Sequence, residues 1–160
     1  MNRTGKLMWL PLLVLLCSCD RDRVFEENIE LQNYEWPVAN EPSFTFEITD
    51  EKQAYDVFIN VRNSATYPYH NLYAKHILYG ADGKMINSAL HNLYLSDPKT
   101  GKPTGKGMGD IFDHRVRFLR NVMFTRPGKY TIKLQQYMRV DPLPGIMAVG
   151  LRVANAEDQK

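Results

Sequence analysis

The stretch SFTFEITDEKQAYDVFINV, Ser43 to Val61, decides the fold. Phe44, Phe46 and Ile48, then Tyr55, Val57, Ile59 and Val61, recur at every second position. Side chains of a strand alternate between its two faces, so this spacing predicts two half-buried strands. The polar segment Thr49 to Ala54 between them reads as a turn, which makes the two strands expected antiparallel neighbours.

The same signal continues downstream. Ser64 to Tyr69 contains Pro68 and reads as a loop, Leu72 to Tyr79 as a strand, and Gly80-Ala81-Asp82-Gly83-Lys84 as a turn whose Asp-Gly tolerates positive backbone angles. Met85 to Leu95 fits neither period cleanly and is taken as a strand. Asp97 to Asp110 holds four glycines and two prolines and is expected to be a long loop, with a short helix around Asp110 to His114. Val116, Phe118, Val122 and Phe124 suggest a strand with a kink or bulge. Tyr130, Ile132 and Leu134 alternate cleanly, with Tyr137 and Val140 extending that strand. After the turn Pro142 to Gly145, the last strand, Ile146 to Val153, turns Met147, Val149, Leu151 and Val153 to one face. About eight short strands with turn chemistry between them predict an all-β chain, a single antiparallel β-sandwich, immunoglobulin-like or jelly-roll-like.

Ahead of this region stands a different kind of text. Arg3 and Lys6 precede an apolar run from Leu7 to Leu16. A span of a bilayer needs about 20 apolar residues, and this run is far shorter, so it reads as an export signal. Leu16-Cys17-Ser18-Cys19 then resembles a bacterial lipobox, in which the cysteine after a small residue receives lipid and becomes the first residue of the mature chain. Two or three acyl chains on one residue make detachment slow without spanning the bilayer. The expected division is a signal peptide over 1–18, a lipidated tether over 19–24 beginning at Cys19, the sandwich over 25–155 and a polar tail over 156–160. A Cys17–Cys19 disulfide would be strained, and cleavage would separate the two residues.

Removal of residues 1–18 takes Arg3 and Lys6 from the 20 Lys and Arg, leaving 18 against 18 Asp and Glu. The basic excess therefore leaves with the signal, and no nucleic-acid partner is implied. The loop Gly101 to Gly107 superficially resembles a phosphate-binding loop. It has three residues rather than four between its first glycines, and Gly107 stands where a hydroxyl would hold magnesium, so no nucleotide is expected. Asp97, Asp110, Asp113 and His114 lack the dense carboxylate spacing of a calcium loop and are read as capping and turn residues. His70, His76, His91 and His114 show no zinc spacing and are taken mostly as surface or loop residues. There is no G-x-S-x-G, and no cofactor, no metal and no catalytic residue is assigned.

The aromatics leave two readings open. Tyr34-Glu35-Trp36 and Tyr67-Pro68-Tyr69 could stack on sugars, as in a carbohydrate- or peptidoglycan-binding lipoprotein, or could close one end of the sandwich. Beyond these, the loops Tyr67 to Asn71 and Asp97 to Asp113 are candidates for contacting a partner, with Tyr67, Tyr69, Asn71, Asp110 and Asp113 as the named positions.

The lipobox at Cys19, Tyr34-Glu35-Trp36, Phe44 to Asp50, Val61-Arg62-Asn63 leading to Tyr67 through Leu72, and Gly105 to Asp113 occur in an order that resembles the GldH family of gliding-motility lipoproteins of Bacteroidota. The resemblance covers essentially the whole chain. It implies a cell-envelope lipoprotein that is not an enzyme, anchored to a membrane through Cys19, with the outer membrane favoured over the inner. The partners it implies are other envelope proteins of the gliding or secretion machinery. Only Cys19 carries over as a functional position.

Overall fold

A computed structural model describes residues 20–156. Cys17, Cys19, the signal segment and residues 157–160 lie outside the described residues. The described residues run through eleven strands: β1 (Arg23–Glu30), β2 (Glu35–Trp36), β3 (Ser43–Ile48), β4 (Ala54–Ser64), β5 (Asn71–Tyr79), β6 (Met85–Tyr94), β7 (Lys106–Met108), β8 (Ile111–Met123), β9 (Gly128–Gln136), β10 (Leu143–Pro144) and β11 (Ile146–Asn155). They form two antiparallel sheets, in the orders β1-β11-β4-β8-β7 and β3-β9-β5-β6, and a small β10-β2 ladder. This is the expected β-sandwich. Its core is the meeting of the two inner faces: Val57, Ile59, Val61, Val149, Leu151 and Val153 from one sheet, and Phe44, Ile48, Leu72, Ile132 and Leu134 from the other.

Period two reports which face a residue occupies, not which strand lies beside it. The two strands that open the pattern are not neighbours: β3 pairs with β9 in one sheet, while β4 sits between β11 and β8 in the other. The segment 49–53 is therefore a crossing between sheets, and Phe44 and Val57 look at each other's sheets across the core. No helix forms around Asp110 to His114. Gly109, at φ +61°, turns the chain tightly between β7 and β8, so the expected long loop ends in a hairpin already paired from Lys106. The strand expected to reach Val140 stops at Gln136. At its head the domain starts early: β1 takes in Arg23 and Val24, assigned above to the tether, and pairs along its length with β11. β8 does carry the expected bulge, where Asn121 adopts φ +50° and donates its backbone N–H to Asp56 Oδ1 at 3.0 Å.

The two ends of the sandwich are closed differently. At the end where β1 begins and β11 finishes, Phe46, Tyr55, Phe124 and Tyr130 form an aromatic cluster with centroid separations of 4.6–6.3 Å. At the opposite end Trp36, Leu143 and Tyr67 plug the core, all buried. Gly145 is needed there twice over: its φ is +81°, and an added Cβ would stand 2.9 Å from Tyr67 Cα.

Candidate functional site

Alternation leaves the outward positions of the five-stranded sheet polar, and register turns them into a grid. Across β1, β11, β4 and β8 the rows read Glu26, Arg152, Phe58, Arg117; then Asn28, Gly150, Asn60, Arg115; then Glu30, Ala148, Arg62, Asp113. Neighbouring side chains on one sheet face interact directly, and here nearly every row is bonded. Glu26 Oε1 accepts from Arg115 Nη2 at 2.6 Å and from Asn60 Nδ2 at 2.9 Å, and Glu26 Oε2 accepts from Arg152 Nη1 at 2.7 Å. Asn60 Nδ2 also reaches Asn28 Oδ1 at 3.1 Å. Arg62 donates to Asp113 Oδ1 at 2.8 Å and to Glu30 Oε1 at 3.3 Å.

Beyond Arg152, the column contributed by β11 is small, Gly150 and Ala148, and this makes a trough. A cleft of about 570 Å³ lies over it, walled by Glu26, Glu30 and Arg62 and roofed on one side by Thr104, Gly105 and Lys106. Its three acidic groups, Glu26, Glu30 and Asp113, balance its three basic ones, Arg62, Lys106 and Arg115. Burial works to raise the Glu26 carboxyl, but hydrogen bonds from Arg152 and Asn60 and the nearby guanidinium charges outweigh it and hold its pKa below the ordinary value. The Arg62 pKa is raised, chiefly by its hydrogen bond to Asp113. The cleft thus presents acidic and basic side chains, most of them ion-paired, to a polar ligand or protein surface. Among the described residues, no three His, Cys, Asp and Glu side chains converge in a way that could hold a metal.

The positions proposed from sequence gather at the end of this cleft. The backbone N–H of Ala65 donates to Asp110 O at 2.7 Å, and Ser96 bridges Pro103, so the loop after β4 and the loop after β6 form one surface. Asp113 belongs to the cleft wall through Arg62. Asp110 and Met108 are exposed at the β7–β8 turn, Met108 at 86%. Asn71 is half-buried and donates to Asn92 Oδ1 at 2.6 Å, and Tyr69 packs edge-on against Tyr67 with centroids 5.7 Å apart. Tyr67 itself is only 9% exposed and donates its hydroxyl to Asn71 O at 2.8 Å. It holds the end together from inside and offers little to a partner. Trp36 is fully buried, its indole N–H bonded to Asn40 O at 2.9 Å, so it closes the sandwich and supplies no stacking platform for sugars.

Asp97 is a turn residue, its Oδ1 accepting from the backbone N–H groups of Lys99 and Thr100 at 2.9 and 2.7 Å. The histidines depart from the sequence reading. His76 is fully buried and His114 nearly so, and His76 Nδ1 meets His91 Nε2 at 2.7 Å while His76 Nε2 meets Asn87 Oδ1 at 2.9 Å. Sequence reasoning missed the grid because its members come from four strands. The one local cue was glycine inside an otherwise strong strand at Gly150, a sign of close approach by another group.

Fold and site together define a β-sandwich module with a charge-balanced surface cleft and a loop-built end. The model of the family described as GldH lipoprotein matches residues 23–153. The chain is 31% identical over 153 residues to the "Gliding motility lipoprotein GldH homolog" of Christiangramia forsetii, covering 91% of this chain and 92% of that one. It is 29% identical over 147 residues to the "Gliding motility lipoprotein GldH" of Flavobacterium johnsoniae, covering 88% and 89%. The chain belongs to the GldH lipoprotein family, a family of gliding-motility lipoproteins rather than a known enzyme family. Among solved structures, that of infectious bursal disease virus, Gx strain, is similar with a TM-score of 0.41 at 14% identity, covering 99% of this chain and 38% of the viral one, a distance at which neither fold detail nor function transfers.

Proposed function

We propose that this protein is a non-catalytic interaction module of the gliding-motility apparatus in the cell envelope, held to the outer membrane by lipid on Cys19, which binds another envelope protein with its loop-built end and cleft. The observation that carries this reading is the placement of the ends. The first described residue, Asp20, lies where β1 begins, while Asp113, level with Glu30, and Ser64 and Asp110 beyond it lie at the other end of the same sheet. A lipid at Cys19 would leave the candidate contact surface pointing away from the membrane. The signal peptide 1–18 and mature start at Cys19 belong to the same proposal.

The test is crosslinking and affinity capture from intact membranes, comparing the native chain, Cys19→Ala, and a triple variant Lys106→Ala, Met108→Ala, Asp110→Ala. These three side chains are exposed, so the fold should survive their loss. Envelope proteins captured by the native chain and lost from the triple variant are expected. A triple variant that keeps every partner would refute the assignment of the surface. The carbohydrate alternative is weakened by the burial of Trp36 and Tyr67, and titration with envelope glycans without response would remove it.

A further inference from the structure

The segment that should act as a flexible leash is built into the fold. Arg152, 8% exposed at its side chain, grips Asp20 with two contacts, Nη2 to Oδ1 at 2.9 Å and Nη1 to Oδ2 at 2.8 Å. The same Nη1 also donates to Glu26 Oε2 at 2.7 Å, which fixes the guanidinium within the sheet. A two-point grip of this kind sets orientation as well as distance. The hydrogen bond to Asp20 raises the Arg152 pKa against the effect of burial, and the Asp20 carboxyl is lowered by the same bond. The backbone continues the attachment: Asn155 donates to Asp22 O at 2.8 Å, and Arg23 is already paired with Ala154.

We infer that the domain is seated directly on the lipid surface by its Asp20 end, without a leash, and that the Asp20–Arg152 clamp fixes the height and orientation of the cleft above the membrane. The inference rests on acylation of Cys19, proposed above. Given that, the lipid-bearing residue is one peptide unit, about 3.8 Å between Cα atoms, from a clamped carboxylate. A free leash over 19–24 would instead allow a wandering end and free tumbling. The same end of the sandwich carries the segment 49–53, the turn 80–84 and the segment 124–127, with exposed Lys52 and Arg126 in them and exposed Arg21 and Met123 beside them. Asp22, Asp50 and Glu51 mix with these cations, so the covalent anchor seats the domain and bulk charge does not. Along β1, the seven steps from Arg23 to Glu30 at roughly 3.3 Å each place the far rim of the cleft about 23 Å further out.

The experiment uses the acylated full chain in vesicles of phosphatidylethanolamine and phosphatidylglycerol that contain a headgroup-nitroxide lipid. With Cys19 blocked by lipid, a single introduced cysteine can carry a fluorophore, placed by Lys52→Cys at the near end or by Met108→Cys at the far end. Strong quenching at 52 and none at 108 is expected. A Gly-Ser insertion of about 12 residues between Cys19 and Asp20, reaching about 20 Å as a coil, should bring the two positions to similar, weak quenching. Equal quenching at both positions in the uninserted chain, or an insertion that changes nothing, would overturn the inference while leaving the anchor intact. Protein that fails to float with the vesicles and lacks acyl mass on its first peptide would overturn both the anchoring and this seating.

Discussion

Gly150→Ala should loosen the attachment of β1. Gly150 lies on β11 opposite Asn28, and a Cβ there would overlap Asn28 Oδ1 and stand 2.5 Å from the Glu27 carbonyl oxygen. The Asn28 side chain can swing aside, at the cost of its bond from Asn60, about 1 kcal/mol. The carbonyl cannot, because it belongs to the β1 backbone, so the strand itself has to shift. Overpacking of this kind costs about 1–3 kcal/mol, and the two effects together give a loss of about 2–4 kcal/mol. For a domain of this size that is a fall in Tm of about 10 °C. Urea and thermal unfolding of Gly150→Ala, Asn28→Ala and the double variant separate the two contributions. Asn28→Ala removes the side-chain overlap but not the carbonyl, so the double variant should remain well below Asn28→Ala alone. A Gly150→Ala protein within about 0.5 kcal/mol of the parent, the range of an ordinary surface change, or complete rescue in the double variant would refute the close-approach argument.

Three further outcomes are expected. His76 and His91 both have pKa values lowered by burial, with the His91 charge adding to the effect on His76, and their surroundings of Asn87, Phe118, Ile59 and Leu134 carry no charge. The unfolded chain then binds more protons, so this stabilisation is complete above about pH 6.5 and is lost as pH falls below that value; a urea midpoint unchanged between about pH 7.5 and about pH 5.5 would count against it. At the β8 bulge, where Asn121 sits at φ +50°, Asn121→Gly should be neutral or slightly stabilising, while Asn121→Val should cost about 1–2 kcal/mol in denaturant unfolding. Arg152→Met should lower stability by about 2–3 kcal/mol, below the range for a fully broken buried pair, because Glu26 keeps Arg115 and Asn60 as partners; a more stable variant would show that desolvation of the arginine outweighs its contacts.

The strands of the core were legible because burial writes itself at period two, as in Phe44-x-Phe46-x-Ile48 and Tyr130-x-Ile132-x-Leu134. Pairing was not legible, since alternation is the same whichever strand lies alongside, and the polar run 49–53 crosses between sheets as readily as it closes a hairpin. β1 was obscured for a different reason. As an edge strand it has only Phe25 and Ile29 packed against the core, and Glu26, Asn28 and Glu30 between and after them resemble a solvated leader. Asp110 to His114 looked helical because paired acids suit a capped turn, whereas Gly109 at positive φ commits the chain to a hairpin. The cleft could not be foreseen, because Glu26, Asn60, Arg115 and Arg152 meet only through the registers of four strands. The burial of His76 likewise depends on a second histidine fifteen positions along that supplies its hydrogen bond.

The pairing of β1 with β11 also bears on when the protein can fold. Arg23 finds its partner in Ala154, and β11 lies between β1 and β4, so β1 has no place in the five-stranded sheet until nearly the whole chain is present. Closing so long a loop is entropically unfavourable until the final contacts form, and topologies dominated by distant pairings fold slowly. Under the proposed export through the signal peptide 1–18, this delay would be an asset: a chain that cannot complete its sheet early remains threadable. On that proposal β11 would act as a timer, and a truncation within it would be expected to yield chains that are exported but degraded rather than chains that jam on the way out.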